Sequence, residues 1–323
     1  MTNFPSSRII ALAAAMMAGG VSMTSPVAAS ASELDLSLVD ASKLRPERYF
    51  DMDRFSSVVV DVESGQMLIG GGSTAPRYPA SLTKVMTIFM AFEALDQGLL
   101  TWDQELTVSR HAARQYPIKL DLKAGKKITV GNAILAAAIK SANDAATALG
   151  EGMAAAMLGK ATATEAEFAV LMNKRAKELG MTDTHFVNAN GMPDEKQVTT
   201  PIDMVTLSKA MIEKFHRPGT ENDYYAVFDR TAFKLGKKAI RGHNRLLDDN
   251  GVDGIKTGFI DASGYNIITS AVIHGRRVII AVFGGKTGAG RDSYVRQLME
   301  AVRPVMQATV DGERKTYAAL TNR

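Results

Sequence analysis

Tyr78-Pro79-Ala80-Ser81-Leu82-Thr83-Lys84-Val85-Met86-Thr87-Ile88-Phe89-Met90-Ala91-Phe92-Glu93-Ala94-Leu95 decides the fold. From Ser81 onward it makes about four helical turns, apolar on nearly all faces, which predicts a helix buried on every side at the centre of a domain. Ser81 and Lys84 open it three residues apart, so they share one face of the first turn. A Ser hydroxyl attacks poorly until a base takes its proton. A Lys amine can do so when burial and a second cation keep it neutral. Ser81 would also sit at the positive end of the helix dipole, where N–H groups face developing negative charge. The pattern is weak by itself, since about one Ser-x-x-Lys is expected by chance in such a chain. Its ordinary alternative, a capping Ser with a solvated Lys, fits an all-apolar helix poorly.

Upstream, Phe55 to Val62, the Glu63-Ser64-Gly65 turn and Gln66 to Gly70 read as a β-hairpin. Downstream, Gly131 to Lys140, Ala145 to Met157 and Glu165 to Leu179 carry Ala, Leu and Met at helical spacing, with Gly180 as a stop and Asn188 to Pro193 as a loop. Near Val252 the period changes back. Val252 to Lys256, Tyr265 to Ile273 and Arg277 to Phe283 read as strands, with His274-Gly275 as a tight turn, and Arg291 to Met306 as a closing amphipathic helix. The class is therefore α/β in the α+β sense: an antiparallel sheet flanked by helices, with an all-helical lobe beside it.

Two further motifs stand at its joints. In Ser141-Ala142-Asn143, before Asp144 and a helix, the hydroxyl could relay a proton and the amide could hold a substrate carbonyl and the Lys amine; alone, the tripeptide reads as a helix cap. In Lys256-Thr257-Gly258, the ammonium and hydroxyl could read a substrate carboxylate on an edge strand, and Gly258 would admit a substrate backbone. A second copy, Lys286-Thr287-Gly288, lies in a Gly-rich segment after the last strand and reads as a turn. The first copy is preferred because it begins a strand that continues into Gly264-Tyr265-Asn266.

Composition narrows the remaining possibilities. The chain has 323 residues, no cysteine and a formal charge of +4, which removes thiolate catalysis and thiolate metal sites. No His-Glu-x-x-His pair occurs among His111, His185, His216, His243 and His274, which makes a zinc peptidase remote; each reads as a surface or loop residue. Lys and Arg are not interleaved with aromatics, which disfavours nucleic acid as a partner. Arg8 precedes an apolar run from Ile9 to Val21, followed by A-x-A-like sites at Ala29 and Ala31. A run short of the ~20 residues needed to span a bilayer reads as a secretory signal peptide over 1–31, so the chain is expected to be exported, periplasmic or extracytoplasmic. Its removal takes Arg8 away and leaves a formal +3.

Ser-x-x-Lys, Ser-x-Asn and Lys-Thr-Gly in this order resemble the signature of penicillin-binding proteins and serine β-lactamases. Tyr78 to Thr87, Leu122 to Ala146, and Met172-Asn173 with Leu179 to Gly191 resemble, more closely, the serine-type D-alanyl-D-alanine carboxypeptidases, the low-molecular-mass penicillin-binding proteins. The resemblance runs from about Phe55 to Val305. It implies a β-lactamase/transpeptidase-like fold, a catalytic domain over 45–306 and no cofactor. It implies acylation of Ser81 with Lys84 as base, Ser141 and Asn143 in the proton network, and Lys256 and Thr257 on the terminal carboxylate. It further implies an oxyanion hole from the N–H groups of Ser81 and Phe259, and Arg291 as a second carboxylate reader. Substrate would be the peptidoglycan pentapeptide, and β-lactams would be covalent inhibitors.

Three departures stand out. Ala142 replaces a usual Gly, Ile260 replaces a frequent Thr, and 307–323 reads as a short polar tail where many members continue into a β-rich domain and an amphipathic anchor. No transmembrane anchor is expected in the mature chain. Alternatives are a D,D-endopeptidase, a class A-like β-lactamase and a catalytically silent cell-wall-binding module; no Glu-x-x-Leu-Asn follows the second motif, which disfavours the β-lactamase.

Overall fold

The structure, a computed structural model, describes residues 34–249 and 251–321, so the proposed signal peptide lies outside the described residues. In chain order the elements are α1 (Pro46–Tyr49), β1 (Ser56–Asp61), β2 (Met67–Gly71), α2 (Lys84–Asp96), β3 (Glu105–Thr107), α3 (Arg110–Ala113), β4 (Lys127–Thr129), α4 (Val130–Leu135), α5 (Asn143–Leu158), α6 (Glu165–Glu178) and α7 (Pro201–Phe215). They continue with β5 (Ala232–Leu235), β6 (Lys238–Arg241), β7 (Val252–Ile260), β8 (Gly264–Ile273), β9 (Arg276–Gly285) and α8 (Gly288–Thr321).

One antiparallel sheet of five strands, ordered β2-β1-β9-β8-β7, organises the rest. Its side chains sort by the two-residue period of a strand. Val58, Val60, Ile279, Ala281, Phe283 and Ile268 face the helical lobe, where α2 is buried. Val59, Val278, Ile280, Val282, Ile267 and Ala271 face α8 through Val295, Leu298, Val302 and Val305. Both faces are covered, which is why β1 and β9 read as continuous apolar runs rather than alternating ones.

The helical lobe follows from local signals. Thr164 and Glu167 form a reciprocal capping box at the start of α6, and Thr200 caps α7 with Pro201 at its first position. In α2, the residues from Lys84 to Phe92 are all buried, as the sequence predicts for a central helix.

Three expectations need correction. Ser81 precedes α2 rather than opening it, on a 3₁₀ turn spanning Ala80–Thr83. Lys256-Thr257-Gly258 lies inside β7, and a turn at 261–263 separates it from β8, so no single strand continues into Tyr265. The polar stretch after Gln307 is no loose tail: α8 runs on to Thr321, with Glu313 paired to Arg276 at 2.7 Å. A helix can be polar there because only its sheet-facing stripe needs apolar residues. Among the described residues, no helix is long and apolar enough to cross a membrane.

Candidate active site

Ser81, Lys84, Ser141, Asn143, Lys256 and Thr257 come from three parts of the chain and meet at one cleft between the sheet edge and the helical lobe. The 3₁₀ turn brings Ser81 and Lys84 onto one face more directly than an α-turn would, since residues three apart eclipse. Lys84 Nζ lies 2.9 Å from Ser81 Oγ and 2.7 Å from Asn143 Oδ1, and it also meets the carbonyl oxygen of Asn190. A neutral amine has two N–H donors and one lone pair. That set matches two carbonyl acceptors and one hydroxyl donor, so the geometry suits an amine that accepts the Ser81 proton. Burial drives the Lys84 pKa well below its usual value, the Lys256 charge adds to the fall, and Glu165 and Asp144 oppose it.

Asn143 is fixed from several sides. Its Nδ2 donates to the Tyr116 carbonyl at 3.1 Å, and its backbone N–H donates to the Ile118 carbonyl at 2.7 Å. Asp144 accepts the N–H groups of Leu120 and Leu122, both at 3.0 Å, and so holds the 116–122 segment that walls the cleft. Ser141 ends a wide helical turn over Ala136–Lys140 with a positive φ of 62°, which turns its hydroxyl toward the sheet. There Lys256 Nζ donates to Ser141 Oγ at 2.9 Å and to the Thr257 carbonyl at 2.8 Å. Burial, with help from the Arg291 charge, lowers the Lys256 pKa to about 7.

Gly258 shows why this tripeptide needs a glycine: a Cβ there would lie 3.1 Å from both the Pro79 carbonyl oxygen and the Ser81 nitrogen. Edge strand and the Ser81 turn therefore touch backbone to backbone. Arg291 is almost fully buried; it donates to Asp292 Oδ1 at 2.9 Å through Nε and to the Asn266 carbonyl at 3.0 Å. Ser81, Ser141, Thr257, Gly258, Phe259 and Arg291 line one cavity of about 530 Å³. Phe259 stands exposed at its lip, its ring 4.3 Å from that of Tyr265. Lys286-Thr287-Gly288 falls at the junction of β9 and α8, where Lys286 reaches the Glu47 carbonyl at 3.3 Å.

Sequence reasoning missed Asn190, Glu165 and Asn266. Asn190 acts through its backbone carbonyl, which leaves no residue-type signal. Asn266 on β8 donates to the Tyr78 carbonyl at 2.9 Å and thereby clamps the segment leading to Ser81. An amide in a strand that is otherwise Tyr, Thr, Ser and apolar residues was its only cue.

A family model described as D-alanyl-D-alanine carboxypeptidase matches residues 42–287. The chain is 32% identical over 251 residues to the D-alanyl-D-alanine carboxypeptidase DacF of Bacillus subtilis, covering 76% of this chain and 61% of that one. Among solved structures, the D-alanyl-D-alanine carboxypeptidase DacD of Francisella tularensis superposes with a TM-score of 0.69 at 29% identity, covering 76% of this chain and 69% of that one. Penicillin-binding protein D2 of Listeria monocytogenes, in its ampicillin-bound form, gives 0.65 at 32% identity, covering 76% and 96%. The chain spans about three fifths of the length of the curated relatives it matches.

Proposed function

The chain belongs to the D-alanyl-D-alanine carboxypeptidase family, and we propose that it removes the terminal D-alanine from peptidoglycan pentapeptides through an acyl-enzyme on Ser81. The observation that carries this reading is the triple contact of the buried Lys84 amine with Ser81 Oγ, Asn143 Oδ1 and the Asn190 carbonyl. It is a base built to be neutral, aimed at one hydroxyl.

In the first step Lys84 takes the Ser81 proton and Oγ attacks the penultimate D-alanine carbonyl. The oxyanion is received by the N–H groups of Ser81 and Phe259, held close by the Gly258 contact. The C–N bond breaks, the leaving amine takes a proton through Ser141 and Lys84, and D-alanine departs. Water, activated by the same amine, then hydrolyses the ester. Lys256, Thr257 and Arg291 bind the terminal carboxylate, and β-lactams enter the same path and stop at the ester. The catalytic domain is assigned to 45–306. We further propose that the chain is exported, the support being the apolar run from Ile9 to Val21 with its small-residue sites.

The test is labelling with a fluorescent penicillin beside assay of D-alanine release from a pentapeptide, on the wild type, Ser81→Ala and Lys84→Ala. A stable adduct and D-alanine release in the wild type, both lost in Ser81→Ala, are the expected results. Rapid penicillin turnover without a lasting adduct would move the reading to a β-lactamase. Neither label nor release would leave a binding module.

A further inference from the structure

Behind Lys84, on the side away from the cleft, lies a carboxylate that the proposed chemistry does not use. Glu165, first residue of α6, is only 8% exposed. Its Oε1 accepts the Thr147 hydroxyl at 2.8 Å, the Ala189 N–H at 3.0 Å and Asn190 Nδ2 at 3.4 Å, while Oε2 meets His111 Nε2 at 2.7 Å. Every partner of Oε1 is a donor, so this one oxygen accepts three hydrogen bonds. The loop it grips is the one that supplies the Lys84 contact. Asn190 Nδ2 also donates to Thr147 Oγ1 at 2.9 Å, and Thr87 of α2 donates to the Ala189 carbonyl at 2.7 Å.

We infer that Glu165 is a positioning residue for Lys84: through Ala189, Asn190 and Thr147 it fixes the Asn190 carbonyl that orients the amine, and its charge acts on that amine. The inference rests on the reading of Lys84 as the base. Gln115 Oε1 also accepts from Asn190 Nδ2 at 3.0 Å and Asn188 Oδ1 accepts the Gly191 N–H at 2.7 Å, so Glu165 is the charged member of a set of anchors on this loop. A buried carboxylate stays in place only while its donors do, so loop and carboxylate hold each other. The groups facing Glu165 are His111 from α3, Glu151 from α5 and, beyond the loop, Lys84 from α2. Lys84 in turn faces Lys256 from β7, Asp144 from α5 and Glu165. Burial and the Lys256 charge press Lys84 toward neutrality, and Glu165 holds it back, keeping enough basicity to take a proton from a serine.

The experiment follows the acylation rate of the full chain by a fluorescent penicillin across pH, for the wild type, Glu165→Gln and Glu165→Asp, with thermal melts of each. Removing the charge lowers the Lys84 pKa, so the acidic limb of Glu165→Gln moves to lower pH, by about 0.5 unit or more. Its plateau rate falls about tenfold because the carbonyl loses its anchor. Glu165→Asp keeps the charge and restores the limb, with part of the rate. A limb that stays in place while rate and melting temperature fall together would overturn the inference, leaving Glu165 a merely structural residue. Should Glu165→Gln fail to fold, Thr147→Val removes one donor at nearly constant volume: acylation about threefold slower at an unchanged melting temperature supports the inference, and an unchanged rate sinks it. A wild type that takes no label overturns the reading of the site itself, an outcome distinct from equal labelling of wild type and Glu165→Gln.

Discussion

Gly191 passes so close to Ala80 that a Cβ on it would stand 1.9 Å from the Ala80 carbonyl oxygen and 2.9 Å from the Ser81 nitrogen. Both residues have positive φ, 87° for Gly191 and 49° for Ala80. For Gly191 that conformation carries little steric cost, whereas for Ala80 it costs about 1–3 kcal/mol and persists only because the surroundings enforce it. The loop that gives its carbonyl to Lys84 and the turn that presents Ser81 are thus pressed into one unit. Neither can move without the other.

Gly191→Ala is expected to push the loop off the Ser81 turn, since a Cβ against backbone has nowhere to relax. Acylation by penicillin should fall about 100-fold or more, with a loss of about 2 kcal/mol or more in stability. Labelling kinetics beside a denaturant titration check this, and a variant that labels at the wild-type rate would show the contact to be incidental.

Asn143 offers a paired test of the amine's geometry and charge. Asn143→Ala strips Lys84 of one acceptor and frees the Tyr116 carbonyl, so acylation should slow about 100-fold with little change in the acidic limb. Asn143→Asp keeps an acceptor and sets an anion beside the amine, which raises the Lys84 pKa. Its acidic limb should therefore move to higher pH, opposite in sign to the shift expected of Glu165→Gln. Acylation rate against pH for both variants is the measurement.

The three motifs were legible because each joins side-chain chemistry to a short spacing that survives in the linear sequence. The sheet was legible for a similar reason: Val58 to Val60 and Val278 to Phe283 are buried on both faces and read as unbroken apolar runs. What lay hidden acts through backbone or across long separations. The Asn190 carbonyl could belong to any residue, and Glu165 meets the Ala189–Asn190 loop only after α6 folds back. The helix α7 received no bounds of its own, although Thr200-Pro201 with Asp203 is a start signal. The length of α8 was hidden too, since a half-polar stretch declares itself helical only when the Arg276 side chain is there to hold Glu313.

Arg291 is expected to serve binding more than the chemical step. Its Nε and one terminal nitrogen are committed to Asp292 and the other terminal nitrogen to the Asn266 carbonyl, so the guanidinium is rigid at the cavity wall. A fixed fork loses little freedom on meeting a carboxylate. Arg291→Lys keeps the charge but loses this frame. It should raise KM for the pentapeptide about tenfold or more with a smaller change in kcat. Steady-state D-alanine release decides; a loss confined to kcat would place Arg291 in the chemistry instead.

Lys256 ties activity and stability to the same proton. With its pKa brought down to about 7 by burial and Arg291, the ammonium that would receive the substrate carboxylate is half lost at neutral pH in the free enzyme. A bound carboxylate restores it, so kcat/KM for the pentapeptide should fall above pH 7 while kcat stays flatter. Folding shows the other side of the same shift. Between about 7 and the usual 10.5 the unfolded chain holds a proton at this position that the folded chain does not, so this group makes stability rise with pH across that window. Below the window it costs the folded state on the order of a few kcal/mol. Lys256→Met should therefore bind the pentapeptide poorly, yet melt higher than the wild type at pH 7, with the gap closing toward pH 10. Melting curves of the two proteins across that range test the sign directly, and a variant that melts lower at pH 7 would mean that the Lys256 bonds to Ser141 and Thr257 outweigh the cost of burying its charge.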